Sequence, residues 1–201
     1  MSKLDFFKRA FRFIIRGVPI ENIYVNVDQI THGNILLNRN ILITGGGHGI
    51  GRDIAAKCVS EGANVIIIGR NEEKLLKTCK ELGDKCSYFV FDLENVDEIE
   101  KFWKLVIQKK TKIDTLVCNA GISLHEGEIL NVTVEQFEKQ VRVNLESVYF
   151  LIKEFIKNKG DNDINILCIS SERGFQRDDL PYGLTKAAIN SLVGGITMLA
   201  I

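Results

Sequence analysis

One stretch decides how the chain folds: Thr44-Gly45-Gly46-Gly47-His48-Gly49-Ile50-Gly51. It follows the apolar run Ile41-Leu42-Ile43 and leads into Asp53-Ile54-Ala55-Ala56-Lys57, which predicts a strand, a glycine turn and a helix. The glycines at 45, 49 and 51 suit a sharp turn, close backbone approach to a ligand and close packing of helix on strand. Free backbone N–H groups and the positive helix end then face a phosphate. The pattern predicts nucleotide binding, and a tight turn without a ligand is the alternative.

The composition is that of one globular domain. The chain has 201 residues, 45% of them hydrophobic, and no net charge, so nothing global indicates nucleic-acid binding. Five cysteines are scattered without any Cys-x-x-Cys or Cys/His cluster, which predicts reduced thiols, a cytoplasmic location and no structural metal.

A separate unit precedes the glycine turn. Residues 1–38 are expected to form an amphipathic arm with a connector, and residues 39–201 the nucleotide-binding domain. On a helical wheel of residues 1–18, basic side chains share one arc and apolar side chains share the opposite side. Such a helix suits peripheral contact with an anionic membrane, and docking on its own domain or on a second subunit is the alternative.

From residue 40 onward, short apolar strands alternate with helices. Strands are predicted at 40–44, 64–68, 86–91, 113–118 and 164–169, and helices at 49–61, 71–82, 95–110, 133–158 and about 181–200. This alternation predicts an α/β fold with a doubly wound parallel sheet of about five strands. Ligands of such sheets bind beyond the carboxyl ends of the strands, where the strand order reverses.

The residues directly after the second and third predicted strands are candidates for contacts with the adenosine end of a cofactor. Arg70 follows the second strand where NAD-selective sites carry an acidic side chain, and a guanidinium there suits a 2′-phosphate. Because of Arg70 we expect NADP(H) in preference to NAD(H), and a protonated His48 in the glycine turn would add to the positive charge. Asp92 and Leu93 follow the third strand, where the carboxylate could accept from an adenine amino group or cap the next helix.

The remaining strand ends carry small and polar residues. Asn119, Ala120 and Gly121 follow the fourth strand and would let a ligand lie close, although they equally suit a simple turn. The helix from 133 starts with Thr133 and Gln136 at capping-box spacing, and its apolar face includes Phe137, Val141 and Val148. Asn144 falls on that same face, either as a structural bracket or as part of a polar site. Tyr182 and Lys186 stand four apart on one helix face, and a nearby ammonium stabilises a phenolate, which makes a tyrosine a usable acid or base.

Together these motifs resemble the short-chain dehydrogenase/reductase family over residues 40–200. The matches occur in the family's order: Thr44 to Gly51, Asp92, Asn119-Ala120-Gly121, Asn144, Ser171, and Tyr182-Gly183-Leu184-Thr185-Lys186. The resemblance implies a Rossmann-type fold and an oxidoreductase that transfers hydride between a nicotinamide and a small-molecule carbonyl or alcohol. The implied cofactor contacts are Gly45, Gly47, His48, Gly49, Ile50, Gly51, Arg70, Asp92, Leu93, Asn119, Ala120, Gly121, Tyr182 and Lys186.

The resemblance also implies the catalytic roles. Tyr182 would be the general acid/base, and Ser171, chosen over Ser170 because it stands three before Gly174, would bind the substrate oxygen. Lys186 would assist Tyr182 and hold the nicotinamide ribose, and Asn144 would hold a water that connects Lys186 to solvent. Relatives often dimerise through their two long helices, so a homo-oligomer is a further expectation.

Two departures from the family pattern affect these expectations. Only 11 positions separate Ser171 from Tyr182, a shorter gap than is common in the family, so the substrate cannot be read by analogy. Family members usually continue through further strands and a substrate-binding loop beyond position 201, so we expect a truncated member. The alternative function is a catalytically silent nucleotide-binding or scaffolding protein.

The arm gives a first testable prediction. The intact chain is expected to co-sediment with anionic liposomes, because residues 1–18 carry five basic residues against one acidic residue. A version that starts near residue 34 should stay in the supernatant, and neutral liposomes serve as the control. Equal sedimentation of the two versions would refute membrane contact through the arm.

Overall fold

The computed structural model describes residues 33–109, 112–125, 127–160 and 163–197. The predicted amphipathic helix of residues 1–18 lies outside the described residues, as does most of the connector. Within the described residues, no helix combines the length and the apolar character needed to cross a bilayer.

Five parallel strands form one sheet in the order β3-β2-β1-β4-β5. They are β1 (Asn40–Thr44), β2 (Asn64–Gly69), β3 (Cys86–Val90), β4 (Thr115–Cys118) and β5 (Asn165–Cys168). The predicted strands are confirmed to within two residues at each end. β1 pairs with β2 on one side and β4 on the other, so the strand order reverses beside β1. The crevice expected for a ligand therefore lies at the carboxyl ends of β1 and β4.

In the described part of the chain, six α-helices connect or follow the strands. They are α1 (Gly49–Ser60), α2 (Glu72–Leu82), α3 (Ile99–Gln108), α4 (Val134–Val141), α5 (Ser147–Lys157) and α6 (Pro181–Thr197). Short 3₁₀ turns precede α3 at Val96–Glu98 and α4 at Ile129–Asn131, and another follows β5 at Glu172–Gly174. Thr133 and Gln136 form the predicted capping box at the start of α4.

The strands β1, β2 and β4 are buried on both faces of the sheet, to which successive residues point in alternation. Leu42 belongs to a core with α3, α5 and α6, whereas Ile41 and Ile43 belong to a second core with α1 and α2. All three side chains are at most 2% exposed. The continuous apolar strands in the sequence are thus those of a doubly covered parallel sheet.

The long helix predicted for residues 133–158 is interrupted. A π-helical segment, Arg142–Glu146, separates α4 from α5. A π turn accommodates an extra residue and rotates the preceding helix by about 100° relative to a regular helix. This explains one wrong expectation: Phe137, placed on the buried face with Val148, is 44% exposed, whereas Gln140 is fully buried.

Residues just before β1 pack on the end of α1. The backbone N–H of Leu36 donates to the Glu61 carbonyl at 2.9 Å, and that of Gly33 donates to the Glu61 carboxylate at 3.1 Å. The carboxylate also pairs with Lys57, and these partners lower the pKa of Glu61. The segment before β1 therefore packs against the C-terminal end of α1, which is the end farthest from the glycine turn.

Candidate active site

The glycine turn brings the start of α1 against the end of β1. The Gly45 N–H donates to the Ile68 carbonyl at 2.8 Å, which binds the turn to β2. A Cβ atom at Gly51 would overlap the Gly45 carbonyl oxygen, and one at Gly46 would overlap the Ile67 side chain. Gly45 and Gly49 have φ angles of 69° and 56°, a region that favours glycine. The turn therefore requires glycine at positions 46 and 51 and favours it at positions 45 and 49.

The positive end of α1 remains accessible. His48 is its N-cap residue, its side chain makes no capping bond, and the first turn contains no acidic residue. By contrast, α2 has Glu72 and Glu73 in its first turn. Ile50 is 64% exposed at the same end of α1. The end of α1 thus has the exposed N–H groups and the unopposed helix dipole that bind phosphate.

Thr44 and Asn119 join the ends of the two strands that border the crevice. The Thr44 hydroxyl accepts from the backbone N–H groups of Asn119 and Ala120, both at 2.9 Å. The Asn119 amide in turn donates to the Thr44 carbonyl at 2.9 Å. The Asn119 side chain therefore braces the end of β1, directly before the glycine turn.

The residues predicted for the adenosine end of a cofactor lie after β2 and β3. Arg70 is exposed directly after β2, and the next residue, Asn71, caps α2 by accepting from the Lys74 N–H. Asp92 uses Oδ1 to accept from the Glu94 N–H at 3.0 Å, which makes a local turn. It does not cap the following 3₁₀ helix, whose N-cap residue is Asn95. Leu93 is only 7% exposed and belongs to the core.

Asn144 lies in the π segment and is 1% exposed. Its Oδ1 accepts from the Ile122 N–H, and its Nδ2 donates to the Ile122 carbonyl, both at 2.8 Å. A longer bond of 3.3 Å joins Nδ2 to the Thr185 hydroxyl on α6. The Asn144 side chain thus holds the loop after β4 against α6.

Lys186 lies beneath the same loop and is 5% exposed. Its ammonium donates to the Ile169 carbonyl at 2.8 Å and lies 5.8 Å from the centre of the Tyr182 ring. A Cβ atom at Gly121 would lie 3.4 Å from both this ammonium and the Asn144 Oδ1. Gly121, Asn144 and Lys186 therefore converge, with Tyr182 one helical turn from Lys186.

Two thiols influence the charge of this lysine. Cys118 and Cys168 are paired opposite each other on β4 and β5. Burial lowers the pKa of Lys186, while Cys168 and Cys118 act in the opposite direction. The Cys118 thiol, against the effect of burial, lowers the pKa of Cys168, and the Lys186 ammonium acts in the same direction. Two of the five cysteines that are scattered in the sequence thus lie opposite each other on neighbouring strands and act on the pKa of the lysine.

Ser171 begins the 3₁₀ turn after β5. Its hydroxyl accepts from the Arg173 N–H at 3.3 Å, a long bond that caps the turn. The neighbouring Ser170 hydroxyl is buried without a hydrogen-bond partner among the described residues. Both hydroxyls follow β5 on the side of the sheet where α6 begins, and the choice of Ser171 as the substrate-binding serine stays a prediction.

Three groups in the site were missed at the sequence level: the Thr44 hydroxyl, the Thr185 hydroxyl and the Ile169 carbonyl. Thr44 had a signal, because a polar side chain ended an otherwise apolar strand directly before the glycines. Thr185 also had one, since it stands between Tyr182 and Lys186 on α6. The Ile169 carbonyl had none, because a main-chain acceptor is available at every residue.

The family model that describes the short chain dehydrogenase matches residues 39–199. The chain is 34% identical over 169 residues to the L-rhamnose 1-dehydrogenase (NADP(+)) of Thermoplasma acidophilum, which covers 80% of this chain and 66% of that protein. It is 30% identical over 175 residues to the 3beta-hydroxysteroid dehydrogenase of Mediterraneibacter gnavus, which covers 80% of this chain and 63% of that protein. The chain thus spans slightly less than two thirds of these relatives.

Solved structures show the same architecture. A short chain dehydrogenase from Escherichia coli CFT073 complexed with NADPH superposes with a TM-score of 0.72 at 26% identity. The match covers 78% of this chain and 70% of that one.

The junction of Thr44 and Asn119 gives a stability prediction. Thr44→Val keeps the shape of the side chain but removes the acceptor of two buried N–H groups, so the free energy of unfolding should fall by about 2 kcal/mol or more. Urea denaturation measures the change. Thr44→Ser keeps the hydroxyl and is the matched control. A Thr44→Val protein as stable as the Thr44→Ser protein would show that these bonds contribute little.

Proposed function

The chain belongs to the short chain dehydrogenase family, and we propose that it acts as an NADP(H)-dependent oxidoreductase on carbonyl or alcohol groups. Because it spans slightly less than two thirds of the relatives named above, the activity, the substrate class and the partners are all part of this proposal.

One observation carries the proposal: a buried lysine converges with Asn144 and Gly121 at the sheet end next to the glycine turn. Burying an ammonium is unfavourable unless it is hydrogen-bonded, and here one bond goes to the Ile169 carbonyl. An ammonium has three donors, so this bond uses only one of them. A buried lysine with spare donors beside a tyrosine at the ligand-binding edge of a sheet is a candidate functional site.

The residues present fit a dinucleotide. The end of α1, with His48, Gly49 and Ile50 exposed, suits the pyrophosphate. Arg70 and the second oxygen of Asp92 suit the adenosine end, and the junction of Thr44 with Asn119 shapes the floor between the two ends. Lys186 and Tyr182 suit the nicotinamide ribose.

The preference for NADP(H) rests on Arg70. Its side chain is exposed directly after β2, where a 2′-phosphate would meet a planar fork of donors. The first turn of α2 also carries Glu72 and Glu73, so the guanidinium must outweigh two nearby carboxylates. The name of the archaeal relative and the NADPH in the E. coli structure support the same choice.

The proposed chemistry divides between the cofactor and this chain's side chains. A bound nicotinamide supplies the hydride chemistry. Tyr182 donates a proton to the carbonyl oxygen during reduction and takes it back during oxidation, and Ser171 holds that oxygen by a hydrogen bond. Lys186 stabilises the phenolate form of Tyr182 by its charge.

The proton that Tyr182 gives up must be replaced from solvent. In this proposal Asn144 binds a water molecule that transfers a proton from solvent toward Lys186. The geometry places one constraint on this water. Both N–H groups of the Asn144 side chain donate to protein groups, so a water held there bonds to an acceptor of this residue.

Three further properties stay proposals of the same kind. They are peripheral membrane contact through residues 1–18, a cytoplasmic location and assembly into a homo-oligomer. The division of the chain into an arm of residues 1–38 and a nucleotide-binding domain of residues 39–201 is likewise a proposal.

The catalytic assignment is tested by Tyr182→Phe. This change removes the proton donor and keeps the ring, so turnover of ketones and aldehydes should fall by about 10²-fold or more. The dissociation constant for NADPH, measured by quenching of Trp103 fluorescence, should change little. Tyr149→Phe, on the exposed face of α5, is the matched control. Full activity of Tyr182→Phe would refute the assignment, and wild-type binding without turnover would favour the silent nucleotide-binding alternative.

The cofactor assignment is tested by Arg70→Asp. Reversing this charge should weaken NADPH binding by about tenfold or more and leave NADH binding nearly unchanged, because only NADPH carries the 2′-phosphate. Lys80→Asp, in the last turn of α2, is a control for the change in net charge. Equal weakening of both cofactors would contradict the role of Arg70.

A further inference from the structure

The connection from β5 to α6 carries Ser171 near its start and leads into Tyr182, the second residue of α6. We propose that Arg173 and Asp178, named here the Arg173–Asp178 clasp, position Tyr182 against Ser171 across this short connection. The inference rests on the proposed function, because it assigns a positioning role for that reaction. Neither residue belongs to the sequence-derived site.

The clasp is a two-bond ion pair. The Arg173 Nε lies 2.5 Å from the Asp178 Oδ2, and its Nη2 lies 2.8 Å from Oδ1. Two parallel bonds fix the relative orientation of the two planar groups, which a single contact would leave free. The Asp178 side chain is only 6% exposed and that of Arg173 is 44% exposed. The carboxylate is therefore fixed inside the connection, and the arginine covers it from the solvent side.

Asp178 contacts the first turn of α6 directly. Its Oδ1 accepts from the Leu180 N–H at 3.0 Å, immediately before the helix begins at Pro181. A Cβ atom at Gly183 would overlap the Asp178 carboxylate, so the carboxylate rests on the helix backbone where no side chain intervenes. A negative charge at a helix N-terminus is also favourable. Asp178 thus joins the connection to the turn of α6 that contains Tyr182.

The arginine side of the clasp is seated on the same helix. Arg173 belongs to the 3₁₀ turn that Ser171 caps, and the next residue, Gly174, packs on α6. The Gly174 carbonyl accepts from the Asn190 amide at 3.0 Å, and a Cβ atom on Gly174 would lie 2.9 Å from the Lys186 carbonyl carbon. Both halves of the connection therefore contact the same helix, α6.

The consequence concerns the two hydroxyls that must meet the same substrate oxygen. Ser171 stands two positions before Arg173, and Tyr182 stands four positions after Asp178. Without the clasp, the turn with Ser171 keeps its seat at Gly174, but the connection to the first turn of α6 loses its only described ion pair. Misplacing a reacting group by about 1 Å can cost a factor of about 10² in rate.

The test compares Asp178→Ala and Asp178→Asn with Glu100→Gln, which breaks the exposed Lys104–Glu100 pair on α3. Asp178→Ala should lower kcat for carbonyl reduction by about 10- to 100-fold. The NADPH dissociation constant should stay within about twofold, since no cofactor contact is removed. The kcat of Asp178→Asn should lie between those of the wild type and Asp178→Ala, because the Asn amide oxygen still accepts from the Leu180 N–H. Glu100→Gln should behave as the wild type.

Arg173→Ala and the double variant test whether the two residues act as a unit. The double variant should lose little more kcat than Asp178→Ala alone, because the second change breaks an interaction already lost. Additive losses would overturn the clasp. So would an unchanged kcat in folded Asp178→Ala, and so would a loss that appears equally in NADPH affinity.

Amide hydrogen exchange tests the clasp without turnover. In Asp178→Ala, exchange at Leu180 and in the first turn of α6 should accelerate by about tenfold or more, while α1 stays as protected as in the wild type. Unchanged exchange there overturns the clasp whether or not the protein turns over. A wild-type protein that binds no NADPH or reduces no carbonyl refutes the proposed function instead, so the two failures are distinguishable.

Discussion

The reciprocal hydrogen bonding of Thr44 and Asn119 is the constraint on which the crevice depends. Parallel strands in a reversed order leave a gap between the turns that follow them, and nothing in the sheet ladder sets its width. Here the Thr44 hydroxyl binds two N–H groups at the end of β4, and the Asn119 amide binds back to the end of β1. The glycine turn is thereby fixed on one side by β2 and on the other by β4, before any ligand arrives.

The second half of the site depends on α6. Lys186 reaches from this helix to the carbonyl that follows β5, and Thr185 meets Asn144 from the π segment. Sheet, loop and helices are thus joined by polar bonds at low exposure, where an unmade bond is costly. This arrangement explains why Asn144, Ile169 and Lys186 keep one geometry although they come from three separate parts of the chain.

The sequence sufficed for the strands, the helix order and the residues that converge, because each has a local signature. Apolar runs marked β1, β2 and β4, and Thr133 with Gln136 marked a helix start that the structure confirms. Long-range bonds were not predictable in the same way. The contact of Lys186 with the Ile169 carbonyl and the contact of Asp178 with Gly183 depend on how the connection after β5 folds back. Periodicity says nothing about such a path, since it describes single elements.

The π segment limits how helical periodicity can be read. Regular spacing placed Phe137 inside, yet the extra residue between α4 and α5 turned it outward and brought Gln140 in. The length of Arg142–Glu146 therefore determines which side chains of α4 face the core. In an alignment, a one-residue gap in this segment rotates α4 by about 100° relative to α5, so its effect extends beyond the segment itself. Comparisons of α4 between relatives are meaningful only after that rotation has been matched.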